Sequence, residues 1–169
     1  SLASDAAGLL GLFGTSCTAV ADGGVMMPAT GGSCYILTAG SGVDSEFDID
    51  TVGIDGVAVY AQHIPIEFER DRHYFYDAVG TDIEPIAESD HDVAHSHGPA
   101  DPAPSESAFE WAGVFSLDGM TSPSKWSMQA GDDGEYPDPS MAVVIIPTNT
   151  PDDATMDSLA SDAVGLLGL

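Results

Sequence analysis

The chain has 169 residues, enough for one domain with a real core and too few for two independent ones. It carries 28 acidic residues against three basic ones, Arg70, Arg72 and Lys125, for a formal net charge of −25. That balance excludes nucleic acid as a direct partner, because gripping a phosphate backbone takes Lys and Arg to displace its counterions. It also argues against an anionic membrane surface.

The acids are spread along the chain and not gathered into a tail, which marks a solvated acidic surface. Such a surface repels itself at low ionic strength and is relieved by salt, whose Debye length is about 3 Å at 1 M. The composition is the one expected of a halophilic protein, or of an extracellular protein bathed in divalent cations. No run reaches the ~18 apolar residues a membrane span requires, so none is expected. A first residue other than Met is expected of a chain that begins after processing or trimming.

The first element is one half of a repeat. Ser1-Leu-Ala-Ser-Asp-Ala-Ala-Gly-Leu-Leu-Gly-Leu12 returns as Ser158-Leu-Ala-Ser-Asp-Ala-Val-Gly-Leu-Leu-Gly-Leu169, the copies differing only at Ala7 and Val164. Leu2, Ala6, Leu9 and Phe13 fall on one stripe and predict a short apolar helical segment over 1–13. At the other end Thr150-Pro151-Asp152-Asp153 reads as an N-cap, a proline at the first helical position and acids on the positive end of the dipole. A helix over 150–169 follows, with Met156, Leu159, Ala163 and Leu166 on the matching stripe. The glycines at 8, 11, 165 and 168 weaken both segments by roughly 1 kcal/mol each relative to Ala, so each needs a surface to hold its shape.

Between the ends lies a single domain, 14–149, of short runs rich in β-branched and aromatic residues. Cys17 and Cys34 sit in two of these runs, and a disulfide between neighbouring strands is expected. Met26-Met27 falls in a Gly-rich turn, either as an adhesive patch or tucked beneath the Cys17–Cys34 hairpin. Strands are predicted over 15–21, 33–39, 46–52, 56–62, 65–69, 108–117, 125–130 and 141–147, separated by Gly, Asp and Pro turns such as Asp55-Gly56 and Asp118-Gly119. Eight short strands with no long helix between them predict a mainly β fold, an antiparallel sandwich or barrel. Trp111, Phe115 and Trp126 are core candidates.

His63 and His73 flank a segment holding Arg70 and Arg72 among three acids, and the arginines are expected to pair with carboxylates and fix the local geometry. The stretch 84–107, with its prolines, histidines and acids, reads as an exposed excursion from the sheet. Within it Asp90-His91-Asp92-Val93-Ala94-His95-Ser96-His97 gathers His91, His95, His97, Asp90 and Asp92 into a candidate metal tract, suited to Zn²⁺ or Cu²⁺. Gly131 to Asp138 offers oxygen ligands of the kind Ca²⁺ prefers, but it does not match the twelve-residue EF-hand loop and turn chemistry explains it better. Ser122-Pro-Ser-Lys125 matches the Ser-x-x-Lys spelling of acyl-enzymes without its companion motifs.

The chain therefore points away from an enzyme. Two nearly identical apolar ends point to an exported structural subunit that associates with copies of itself. A groove that accepts one copy accepts a neighbour's other copy, giving head-to-tail rings or filaments. The other reading is a secreted binder of divalent metal ions that uses the His-rich tract.

Overall fold

A computed structural model describes residues 17–90 and 109–152, without the side chains of Ser89 and Asp90. Residues 1–13 and 153–169 of the expected terminal helical segments, and most of the His-rich tract, lie outside the described residues; the described residues 150–152, where the C-terminal helix was expected to begin, are not helical.

Among the described residues ten strands and one turn of 3₁₀ helix follow one another: β1 (Thr18–Ala21), β2 (Val25–Met26), β3 (Ser33–Thr38), β4 (Asp44–Ile49), β5 (Gly56–Ala61), the 3₁₀ turn Pro65–Phe68, β6 (Phe75–Tyr76), β7 (Ala87–Asp90), β8 (Trp111–Ser116), β9 (Ser124–Gln129) and β10 (Ser140–Thr148). They form a six-stranded sheet in the order β1-β3-β10-β5-β8-β7 and a four-stranded sheet in the order β2-β4-β9-β6. The chain is mainly β and sandwich-like, as expected. Most pairs are antiparallel, but β1 runs parallel to β3 and β2 parallel to β4, so both sheets are mixed at one edge. Those parallel pairs arise because Asp22-Gly23-Gly24 carries the chain from one sheet to the other. Gly23 takes φ +80, and the turn is pinned where Asp22 Oδ1 accepts Glu46 N–H at 2.8 Å.

Three differences from the expected strands have local causes. The run 65–69 is not a strand, since Pro65 has no N–H for a ladder and starts a 3₁₀ turn closed by Glu67 N–H to Ile64 and Glu69 N–H to Ile66. Ala87–Asp90 is an edge strand on β8, so the excursion expected from residue 84 begins later. The two-residue strands β2 and β6 are too short for any alternation to show.

Between the sheets, Tyr35, Leu37, Val57, Val59, Trp111, Phe115, Met141, Val143 and Ile145 from the larger one meet Met26, Phe47, Ile49, Phe75, Trp126 and Met128 from the smaller. Phe75 and Phe115 join the layers edge to face, with centroids 4.7 Å apart at 77°. Met26 is fully buried in this interior, on the opposite side of the larger sheet from the Cys17–Cys34 pair under which it was expected to tuck, whereas Met27 is 69% exposed.

Candidate functional site

Period-two alternation places every second residue of a strand on the opposite face. In the four-stranded sheet the outward set is polar, and it collects all three basic residues of the chain. Asp44, Glu46 and Asp48 alternate along β4 with the buried Ser45, Phe47 and Ile49. Arg70 Nη2 donates to Asp44 at 3.0 Å, Arg72 Nη1 pairs with Glu46, and Lys125 Nζ donates to Asp48 at 2.8 Å. The arginines thus pair with carboxylates, as expected, but chiefly with a strand distant in sequence. Each partner is partly exposed, so each rung contributes only about 0.2–1 kcal/mol.

Gln129 organises the loop that brings the arginines there. Its Oε1 accepts the backbone N–H groups of Arg70, Asp71 and Arg72 at 3.0, 3.2 and 3.1 Å. Its Nε2 donates to Asp44 at 2.9 Å and to Asp71 at 2.6 Å. That last bond, and then the neighbouring arginines, hold the Asp71 carboxyl below its usual range. The rung also includes Tyr76, whose hydroxyl donates to Glu46 at 2.7 Å. Burial, then this bond, pushes the Tyr76 phenol up to about 12.

His63 and His73 take separate partners. His63 lies 3.2 Å from Asp138 and 3.7 Å from Glu110. His73 Nδ1 donates to Glu69 at 2.6 Å beside a cavity of about 300 Å³ lined also by Tyr74, Glu84, Glu88 and Trp111. Some polar groups of that cavity are spent on one another, but the buried His73 Nε2 has no hydrogen-bond partner among the described residues and lies 3.9 Å from Glu84. Glu69 also accepts Tyr74 N–H at 3.0 Å, and Trp111 Nε1 donates to Glu88 at 3.3 Å.

The six-stranded sheet is apolar on both faces. Its outward set comprises Cys34 and Ile36 on β3, Ala142, Val144 and Ile146 on β10, Ala58 and Tyr60 on β5, and Ala112 and Val114 on β8. None of these is more than 4% exposed, and Ile36, Ala58, Val114, Ala142 and Val144 are fully buried. Among the described residues Phe109 packs on this face, its ring centroid 5.5 Å from that of Tyr60.

Both ends of the described chain arrive at this face. Cys17 joins Cys34 in the expected disulfide, with Cα atoms 4.5 Å apart, and both sulfurs belong to the outward cluster. At the other end Pro151 lies against Gly56, where an added Cβ would meet Pro151 Cβ at 2.6 Å. Gly56 alternates with Val57 and so shares the outward face of Ala58 and Tyr60.

Of the candidate metal tract, Asp90 ends β7, and His91, Asp92, His95 and His97 lie outside the described residues. So do the association residues Leu2, Ala6, Leu9, Phe13, Leu159, Ala163 and Leu166. The acids of 131–138 serve turns: Asp133 accepts Glu135 N–H and Asp138 accepts Ser140 N–H, each at 3.0 Å. Among the described residues no group of three or more His, Cys, Asp or Glu is placed to hold a metal ion. No described helix is long and apolar enough to cross a membrane. Comparison with protein-family models, curated proteins and solved structures gives no match to the chain.

The doubly apolar sheet is the feature that reading the sequence for alternation missed. Its signal was present in Val57-Ala-Val-Tyr-Ala61 and Met141-Ala-Val-Val-Ile-Ile146, unbroken apolar runs of the kind found in strands buried on both faces.

Proposed function

We propose that this chain is an exported, non-enzymatic structural subunit that self-associates into filaments or rings through its duplicated apolar ends, working in a salt-rich extracellular medium. The observation that carries the reading is the outward face of the six-stranded sheet, apolar over four adjacent strands and reached by the chain at both Cys17 and Pro151. A face that suits one copy of a nearly identical pair suits the other, so a neighbour's N-terminal segment competes for it, and repeated exchange propagates an assembly. The disulfide supports export, since such bonds persist in oxidising compartments. The net charge of −25 supports a medium with enough salt to let like-charged subunits approach.

The test is negative-stain electron microscopy with light scattering in high salt, comparing the full chain with a variant lacking residues 1–13. Filaments or rings that vanish on truncation are the expected result. Monomers in both samples would overturn the reading.

A further inference from the structure

We propose that the cavity beside His73 is a binding site for a small primary ammonium carried on an apolar stem. Such a site goes beyond the association reading and does not depend on it.

The cavity forms where the edges of the two sheets come together. β6 is an edge strand of the four-stranded sheet and β7 of the six-stranded one. The chain just ahead of each supplies a wall, His73 and Tyr74 before β6, and Glu84 and Pro85 before β7. Trp111 begins β8 and donates to Glu88 of β7, while Ile64 and Ile66 at the 3₁₀ turn add an apolar side. A volume of about 300 Å³ lies at the lower end of the range for ligand clefts, so the occupant is small.

Acids alone would mark only a solvated surface, as they do elsewhere on this chain. Two unused polar groups distinguish this cavity. His73 Nδ1 donates to Glu69 at 2.6 Å, so the neutral ring carries its lone pair on Nε2, a buried atom with no hydrogen-bond partner among the described residues. Tyr74 is 5% exposed, and its hydroxyl makes no hydrogen bond to a described residue. Buried polar groups are normally paired, so both are open to a ligand's hydrogen bonds.

The electrostatics select a cationic donor. Burial, and then Glu88, Glu69 and Glu84, push the Tyr74 phenol up, so the field inside the cavity is negative and repels an anion. Glu84 Oε2 lies 3.9 Å from His73 Nε2, too far for a direct hydrogen bond. An ammonium nitrogen about 2.9 Å from each bridges that span. Its stem then rests on the apolar side made by Ile64, Tyr74 and Trp111. A metal ion suits the cavity less, because among the described residues no group of three or more His, Cys, Asp or Glu is placed to hold one.

The experiment titrates the full chain with benzylammonium in about 1 M NaCl, which screens the diffuse attraction of a net charge of −25 for any cation. Calorimetry and the nitrogen resonance of His73 Nε2 report binding. Saturable binding at one site that shifts this resonance is expected, with no binding of benzoate or benzyl alcohol. Glu84→Gln is expected to weaken it about tenfold, the size of one hydrogen bond to a charged group. Glu84 is 72% exposed and lies outside the strands, so the fold survives this change. Asp118→Asn, at the far end of β8 from Trp111, is expected to leave binding unchanged. Equal binding of benzyl alcohol, equal effects of the two substitutions, or no saturation by about 10 mM would overturn the proposal. A free amine and a lysine side chain share this chemistry, so a second arm uses Nα-acetyl-lysine amide. Tighter binding of that probe than of benzylammonium supports a site for a protein's lysine, and the reverse order supports a site for a free amine.

Discussion

Trp111 folds its indole back along its own strand over Gly113: a Cβ at residue 113 would stand 2.3 Å from the Trp111 Cη2 atom. The two residues are neighbours on the inward face of β8, and the indole is 2% exposed, wedged among Tyr74 and Phe115 and anchored by its bond to Glu88. Glycine is required here for space, not for backbone freedom.

Gly113→Ala therefore overpacks a closed site, and a loss of about 1–3 kcal/mol is expected. Urea unfolding followed by Trp fluorescence measures it. A loss below about 0.5 kcal/mol would mean that the indole has room to swing aside.

Gln129 concentrates five hydrogen bonds on one side chain. Gln129→Glu keeps the acceptor for the three backbone N–H groups but turns the donor facing Asp44 and Asp71 into a third carboxylate. The expected outcome is destabilisation that shrinks as salt rises, since the new cost is like-charge repulsion near the surface. Equal losses at low and high salt would point to geometry as the cause.

Alkaline pH should unfold the protein through its tyrosines. Tyr76 titrates near 12 in the folded chain, and burial raises Tyr35, Tyr74 and Tyr136 as well. A phenol raised above its unfolded value of about 10 contributes stability that is fully present below about pH 10 and is lost as pH climbs through the folded value. The urea midpoint should fall between about pH 10 and about pH 12, and less steeply in Tyr76→Phe. A flat midpoint across that window would contradict the assignment.

Salt has opposing effects, and magnitudes decide between them. Screening weakens the five partly exposed ion pairs of Arg70, Arg72 and Lys125, and pairs of this kind are worth about 1 kcal/mol each at most. It also relieves repulsion among a surface with a net charge of −25. Stability is expected to rise from roughly 0.05 M to roughly 1 M NaCl, read as an increase in urea midpoint. A fall would show that the ladder on β4 outweighs the net charge.

The Cys17–Cys34 bond closes a loop with a sequence separation of 17, worth about 3 kcal/mol on chain-entropy grounds. Both cysteines are buried, at 7% and 3% exposure. Thiol reductant should act slowly on the native protein and quickly in urea, and Cys17→Ala with Cys34→Ala should lower stability by about 3 kcal/mol. Equally fast reduction in both states would place the bond on an open surface.

The sequence by itself determined the β class, the disulfide pair and the burial of Trp111, Phe115 and Trp126. Each follows from residue type and short-range alternation, which are local properties. It also placed most strand centres, because Val57–Ala61 and Ala142–Ile146 have no turn residues to interrupt them. Only the tertiary structure decided that Arg70 and Arg72 would meet Asp44 and Glu46, more than twenty residues away, since no local pattern encodes which strands become neighbours. The same holds for the outward apolar face. Ile36, Ala58, Val114 and Val144 lie on four strands scattered through the chain, and they become one surface only when the strand order is set. Burial on a strand's two faces is a property of the layers that enclose it, and it is fixed by packing and not by the residues of that strand alone.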